Sequence, residues 1–130
     1  MKNTYLDFNQ DQFIAFSKLP VDTPLQMLNL LRFRKDLTET GLTGVQQYDL
    51  YMKAALPFFK ASGAKVLFYG SAQMTLIGPT DQLEWDKVLI VAYATKDSFL
   101  QMITHKDYPA ALRRQALTDS RLIFCTTPKK

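Results

Sequence analysis

Residues 25–33 read Leu-Gln-Met-Leu-Asn-Leu-Leu-Arg-Phe, a stretch that is apolar on both strand parities. Successive side chains of a strand point to opposite faces, so Met27, Leu31 and Phe33 go to one side of a sheet while Leu28 and Leu30 go to the other. Two further stretches behave alike. Val66, Phe68, Met74 and Leu76 alternate with Leu67, Tyr69 and Ile77, and Val88 and Ile90 alternate with Leu89 and Val91. A sheet that is apolar on both faces must be covered on both, because soluble proteins rarely leave such a patch bare. At 130 residues the chain has room for one domain. Its helices can cover one face, and packing against a second copy is the simplest cover for the other. An N-terminal extension carrying Phe8, Phe13 and Phe16 is the competing cover.

The remaining elements follow from local chemistry. Asn9 to Lys18 reads as a short helix, and Pro20 and Pro24 then separate residues 1–24 from the core as an extension. Thr43 and Gln46 form a capping box, behind which Val45, Tyr48, Met52, Ala55, Leu56 and Phe59 recur at helical spacing. Pro57 should kink that helix and Gly63 should stop it. Ala64 to Ile77 reads as one long strand or a bent pair with Gly70 as a candidate bulge. Gly78-Pro79-Thr80-Asp81 is turn chemistry, and Asp86 to Tyr93 is a third strand. Thr95 caps a short helix with Phe99, Met102 and Ile103. Asp107-Tyr108-Pro109 opens another, and Ser120 to Thr126 closes with a fourth strand. The order is β-α-β-β-α-β, an α+β ferredoxin-like sandwich spanning residues 25–128.

Composition narrows the function classes. Sixteen basic and 12 acidic side chains leave a formal charge of +4, spread too thinly for a nucleic-acid groove. One cysteine, Cys125, excludes an internal disulfide and fits a reducing, cytoplasmic setting. One histidine, His105, excludes a multi-imidazole zinc site within one chain, so no metal and no cofactor are expected. No apolar run is long enough for a signal peptide or a membrane span. Phosphate-loop, dinucleotide, serine-hydrolase and zincin motifs do not occur.

The ordered series from Gln26-Met27-Leu28-Asn29-Leu30-Leu31-Arg32-Phe33 through Tyr48 and Tyr51 resembles the domain of unknown function 1330 family. So do Leu76-Ile77-Gly78, Glu84-Trp85-Asp86-Lys87-Val88, Phe99-Leu100-Gln101-Met102, Asp107-Tyr108, Arg113-Arg114 and 116–123. The resemblance covers about residues 25–125 and implies a dimeric α/β barrel in which two ferredoxin-like sheets pack face to face. That superfamily also holds small monooxygenases that degrade heme or oxidise polyketide quinols without a bound metal. In the heme-degrading branch a strand asparagine acts with a tryptophan and a histidine. Here Trp85 precedes its strand, Arg113 and Arg114 stand where a heme-ligating histidine would be wanted, and His105 lies upstream.

Asn29 shares parity with Met27, Leu31 and Phe33, so it is an amide among hydrocarbons that needs a partner or a ligand. Tyr48, Tyr69, Trp85 and Arg114 are the other candidate ligand contacts. Phenols orient polar ligands, and Arg114 can fork onto an anion or instead pair with Asp107 or Asp119. His105 reads as a solvated loop residue, and Cys125 as a strand thiol without an activating base. The expected protein is a homodimer binding a small, partly aromatic organic molecule in each barrel, with no nucleic acid or membrane partner. A non-catalytic dimerisation or regulatory module and a cofactor-independent monooxygenase are the alternatives, and the sequence does not decide whether there is a reaction.

Overall fold

The computed structural model describes residues 3–20, 23–79 and 84–127. Its elements are α1 (Gln10–Lys18), β1 (Leu25–Phe33), α2 (Gly44–Ser62), β2 (Lys65–Ser71), β3 (Lys87–Tyr93), α3 (Lys96–Thr104), α4 (Ala110–Ala116) and β4 (Leu117–Cys125). The sheet order is β2-β3-β1-β4 with antiparallel neighbours throughout, which is the ferredoxin-like arrangement expected from the order of elements.

Strand β1 alternates cleanly. Leu25, Met27, Asn29, Leu31 and Phe33 are buried against the helices, while the residues between them are half-buried on the far side. Across the sheet, Met27 faces Val91 and Phe124, and Asn29 faces Leu89 and Leu122. Helix α2 closes one flank through Tyr48, Tyr51, Ala55 and Phe59, and α3 closes the other through Phe99 and Met102.

The helix ends are as the local chemistry requires. Thr43 Oγ1 accepts from the Gln46 backbone N–H while Gln46 Oε1 accepts from the Thr43 N–H, and Gly63 stops the helix at φ +74°. Pro57 lies within α2, which continues for five residues beyond it. Within the expected stripe of that helix, Val45 and Leu56 are exposed and Tyr51 takes a core position. Thr95 caps α3 by accepting from the Ser98 N–H.

The 64–77 stretch departs from expectation. Strand β2 ends at Ser71, and the last backbone bond of the hairpin is donated by Ala72 to Asp86. The register shift lies between Val66 and Phe68 rather than at Gly70. Gly70 serves a different purpose. The Phe68 ring lies across it, and a Cβ there would stand 2.6 Å from the ring edge. Beyond the strand, Met74, Leu76 and Ile77 are exposed without a partner element, up to 98% at Ile77. The expected turn at 78–81 falls partly outside the described residues. Strand β4 begins three residues earlier than expected, directly from the end of α4.

Residues 5–18 do not cover the far face of the sheet. They run along β4 and the helix side instead, where Phe16 meets Phe99 and Phe124 edge-on at 5.9 and 5.2 Å. Tyr5 is fixed there by its N–H donating to Asp119 and its carbonyl accepting from the Ser120 hydroxyl. The C-terminal carbonyls of α1, at Ser17 and Leu19, accept from the buried Lys96 ammonium. Among the described residues nothing covers the far face, which keeps an apolar row running Phe68, Ile90, Leu28, Ile123 across all four strands.

Candidate functional site

Between the sheet and its helices lies a cavity of about 530 Å³. Its floor is the buried parity of the strands, Met27 and Asn29 with Leu89, Val91 and Tyr93. Tyr48 and Tyr51 of α2, Phe99 and Met102 of α3, and Tyr108 and Arg113 before and within α4 form the walls. Tyr5 to Asn9, Gln12, Phe13 and Phe16 contribute to the lining as well. The lining is mainly apolar and aromatic with a few convergent polar groups, the usual make-up of a small-molecule site.

Asn29 has its partners. Its amide nitrogen makes long bonds, 3.4 Å each, to the Met27 and Leu89 carbonyls, and its oxygen accepts from the Arg113 guanidinium at 3.3 Å. The amide therefore positions Arg113 from below. Arg113 makes no ion pair among the described residues, whereas Arg34, Lys35, Arg114 and Arg121 each have a carboxylate.

Tyr48 is 1% exposed, and its hydroxyl is the one buried side-chain polar atom without a hydrogen-bond partner among the described residues. Burial pushes its ionisation well above the ordinary phenol range; Arg113 works against that rise, by its charge and as a weak donor to the phenol oxygen, so what the hydroxyl lacks is an acceptor for its own proton. Tyr51 and Tyr108 share a short hydrogen bond between their hydroxyls. Burial also raises Tyr51 and Tyr93, and pushes Tyr108 up to about 12. At neutral pH the cavity thus presents uncharged phenols and two cations, Arg113 and an Arg121 that is already paired with Asp119. The carboxylate that reaches its rim, Asp7, is half-exposed and held by Arg114 at 2.8 Å.

Of the expected contacts, Asn29 and Tyr48 are brought together in the cavity lining, and the other three stand elsewhere. Tyr69 is on β2, exposed at 39%, with the Lys87 ammonium 4.8 Å from its ring centre. Trp85 lies outside, with the guanidinium carbons of Arg32 and Arg121 at 5.8 and 5.1 Å from its ring. Arg114 pairs with Asp7 on the surface, not with Asp107 or Asp119. Asp119 belongs to another cluster: burial would raise its pKa, but bonds from the Tyr5 and Ser120 N–H groups and from Arg121 hold it below the usual carboxylate range. His105 ends α3 with its ring 5.1 Å from Phe58, and Cys125 ends β4, both away from the cavity lining. Arg113 is the site residue missed in the sequence. Helix α4 has only seven residues, so no apolar period fixes which of two adjacent arginines faces inward.

Fold and cavity together define a ferredoxin-like α+β protein with a ligand-sized chamber between sheet and helices. A solved structure of the RPA0582 protein of unknown function from Rhodopseudomonas palustris is 33% identical, with a TM-score of 0.87, over 98% of this chain and 100% of that one. The chain belongs to the same family as that protein. SnoaB, a cofactor-independent oxygenase from Streptomyces nogalater, shares the fold at 15% identity and a TM-score of 0.52, over 83% of this chain and 96% of that one. A hypothetical Arabidopsis thaliana protein does so at 9% identity and the same TM-score, over 87% and 96%. No protein-family model matches the chain, and no curated protein matches it. No helix among the described residues is long and apolar enough to cross a membrane.

Proposed function

We propose that this protein binds a small, partly aromatic organic molecule in the cavity between sheet and helices, and that it works as a homodimer closed through the far face of the sheet. The observation that carries the binding reading is the cavity of about 530 Å³ with the partnerless Tyr48 hydroxyl in its wall. A module built only for assembly would fill that space with side chains. The dimer is supported by the row Phe68, Ile90, Leu28, Ile123, which none of the described residues covers, and by the exposed Met74, Leu76 and Ile77 that follow β2. The ordered motifs from Gln26 to Ile123 support membership of the domain of unknown function 1330 family, and the lone Cys125 supports a reducing cytoplasmic setting.

The second reading is a cofactor-independent oxygenase of the kind SnoaB is. Arg113, held by Asn29, favours it, because a positioned guanidinium can hold a developing oxyanion. Against it, the cavity phenols stay protonated at neutral pH and Asp7 is tied to Arg114, so a substrate would have to ionise without a base from this lining. Native mass spectrometry of the gently purified protein tests the main reading. The expected result is a dimer near twice 14.9 kDa carrying an added small molecule that leaves on denaturation. A monomer that is stabilised by no member of an aryl compound library would overturn it.

A further inference from the structure

We propose that the ligand of this cavity is an organic anion, an aryl carboxylate or a comparable oxyanion, seated on the Arg113 guanidinium and the Tyr48 hydroxyl. This rests on the binding reading above and adds the charge of the ligand to it. Three independent features converge on one end of the cavity. Arg113 is half-buried and lacks a carboxylate among the described residues, in a protein where Arg34, Arg114 and Arg121 each have one. Asn29 Oδ1 accepts from one of the guanidinium's five N–H donors and holds it toward the lining, leaving others for a planar anion. Tyr48 stands in the same wall beside Arg113 with a buried hydroxyl that has no acceptor, so a ligand oxygen that displaces the side chains around it would meet a waiting donor.

The rest of the lining sets the remaining chemistry. Tyr93, Phe99, Met27, Val91 and Met102 present rings, thioethers and a branched side chain without a further charge, which suits a flat apolar body behind the anionic head. Buried phenols that resist ionisation supply no counter-anion to Arg113, so an anionic ligand head would be its first charged partner in the cavity. A cationic ligand meets a fixed positive charge at this end, and a neutral one leaves that charge uncompensated.

The test uses the intact dimeric protein and three two-ring probes, naphthoate, naphthamide and naphthol, followed by isothermal titration calorimetry at neutral pH. Naphthoate is expected to bind at least about tenfold more tightly than naphthamide, which has nearly the same shape and no charge. Arg113→Met should bring the two to within about twofold of one another, and Tyr48→Phe should weaken naphthoate by roughly threefold to tenfold. Equal affinity of the wild-type protein for acid and amide would overturn the anion while leaving the binding reading in place. That comparison needs no variant and so survives any folding defect in Arg113→Met. If none of the probes binds, the cavity reading itself fails, and the anion fails with it.

Discussion

Leu28 and Leu31 stand three residues apart on β1 and face opposite sides of one sheet, with opposite fates. Leu31 is fully buried under the helices. Leu28 is the centre of the far-face row, with Ile90 on one side and Ile123 on the other. Both faces are apolar, yet the helices cover one and leave a cavity of about 530 Å³ beneath them, while none of the described residues covers the other. Hydrophobicity thus says that a face must be covered and nothing about whether the cover comes from the same chain. On the helix side the chain supplies it. On the other side residues 5–18 had the composition to do so but pack against β4 and Phe99 instead.

The same substitution on the two faces separates them most sharply. Leu31→Lys places an ammonium at a fully buried position among apolar side chains, which should cost about 4 kcal/mol or more and abolish the cooperative melt followed by circular dichroism. Leu28→Lys should leave that melt intact as a monomer and weaken self-association by about a hundredfold or more in light scattering or analytical ultracentrifugation. If Leu28→Lys also unfolds the chain, the far face is part of the core and the distinction between the faces is lost.

The next effect belongs to the helix side alone. Tyr48, Tyr51, Tyr93 and Tyr108 all ionise well above the ordinary phenol value, chiefly because burial disfavours the phenolate. A phenol raised in the folded state binds its proton more tightly than the unfolded chain does. Its contribution is complete below about pH 10 and is lost as pH climbs through the folded value. Stability should therefore fall steeply from about pH 10 upward. Each tyrosine that keeps its proton in the fold, but not in the unfolded chain, takes away about 1.4 kcal/mol with every step of one in pH. In a variant carrying Tyr5→Phe and Tyr69→Phe, two exposed positions, phenolate absorbance should appear together with loss of structure rather than before it. Phenolate that appears in that variant while it is still folded would show the cavity to be open to solvent.

Much of the fold could be read because strong local rules agreed. The two-parity strand at 25–33, the Thr43–Gln46 capping box, the Gly63 stop and the Thr95 cap are each where the sequence expects them. Pattern failed where tertiary packing overrode it. An apolar 72–77 reads as strand, but pairing stops after the Ala72–Asp86 bond and leaves Met74, Leu76 and Ile77 unpaired. The site was half legible. Asn29 stood out because an amide on the buried parity needs partners, and Tyr48 because it falls on the helix stripe. Tyr69, Trp85, Arg113 and Arg114 depended on the facing of an edge strand, a loop and a seven-residue helix, none of which carries a reliable period.

Within the helix side, Asn29→Leu tests whether the amide mainly supports its neighbours. It removes the bonds to two strand carbonyls and strips Arg113 of its acceptor. The expected loss is roughly 1–3 kcal/mol in denaturant unfolding, with the dimer unchanged. No loss of stability would mean that those long contacts are weak and that Asn29 is free to serve a ligand directly.

The smallest effect is opposite in sign and the most telling. Tyr48→Phe removes a hydroxyl that is buried without a partner while keeping the ring against Phe33 and Tyr51, whose centroids lie 5.6 and 5.2 Å away. An unmade hydrogen bond in a dry site is a penalty, so deleting the group should raise ligand-free stability by up to about 1 kcal/mol. Tyr51→Phe is the control, because its hydroxyl does have a partner in Tyr108 and its loss should destabilise by a similar amount. Thermal melts of the two variants in the same buffer give opposite shifts if the Tyr48 hydroxyl is held in reserve for an incoming oxygen atom. If Tyr48→Phe melts lower than the parent, the bond from Arg113 to that oxygen outweighs the missing acceptor, or a bound water supplies one in solution. The cavity would then lose its one unsatisfied donor, and the case for a ligand would rest on Arg113 alone.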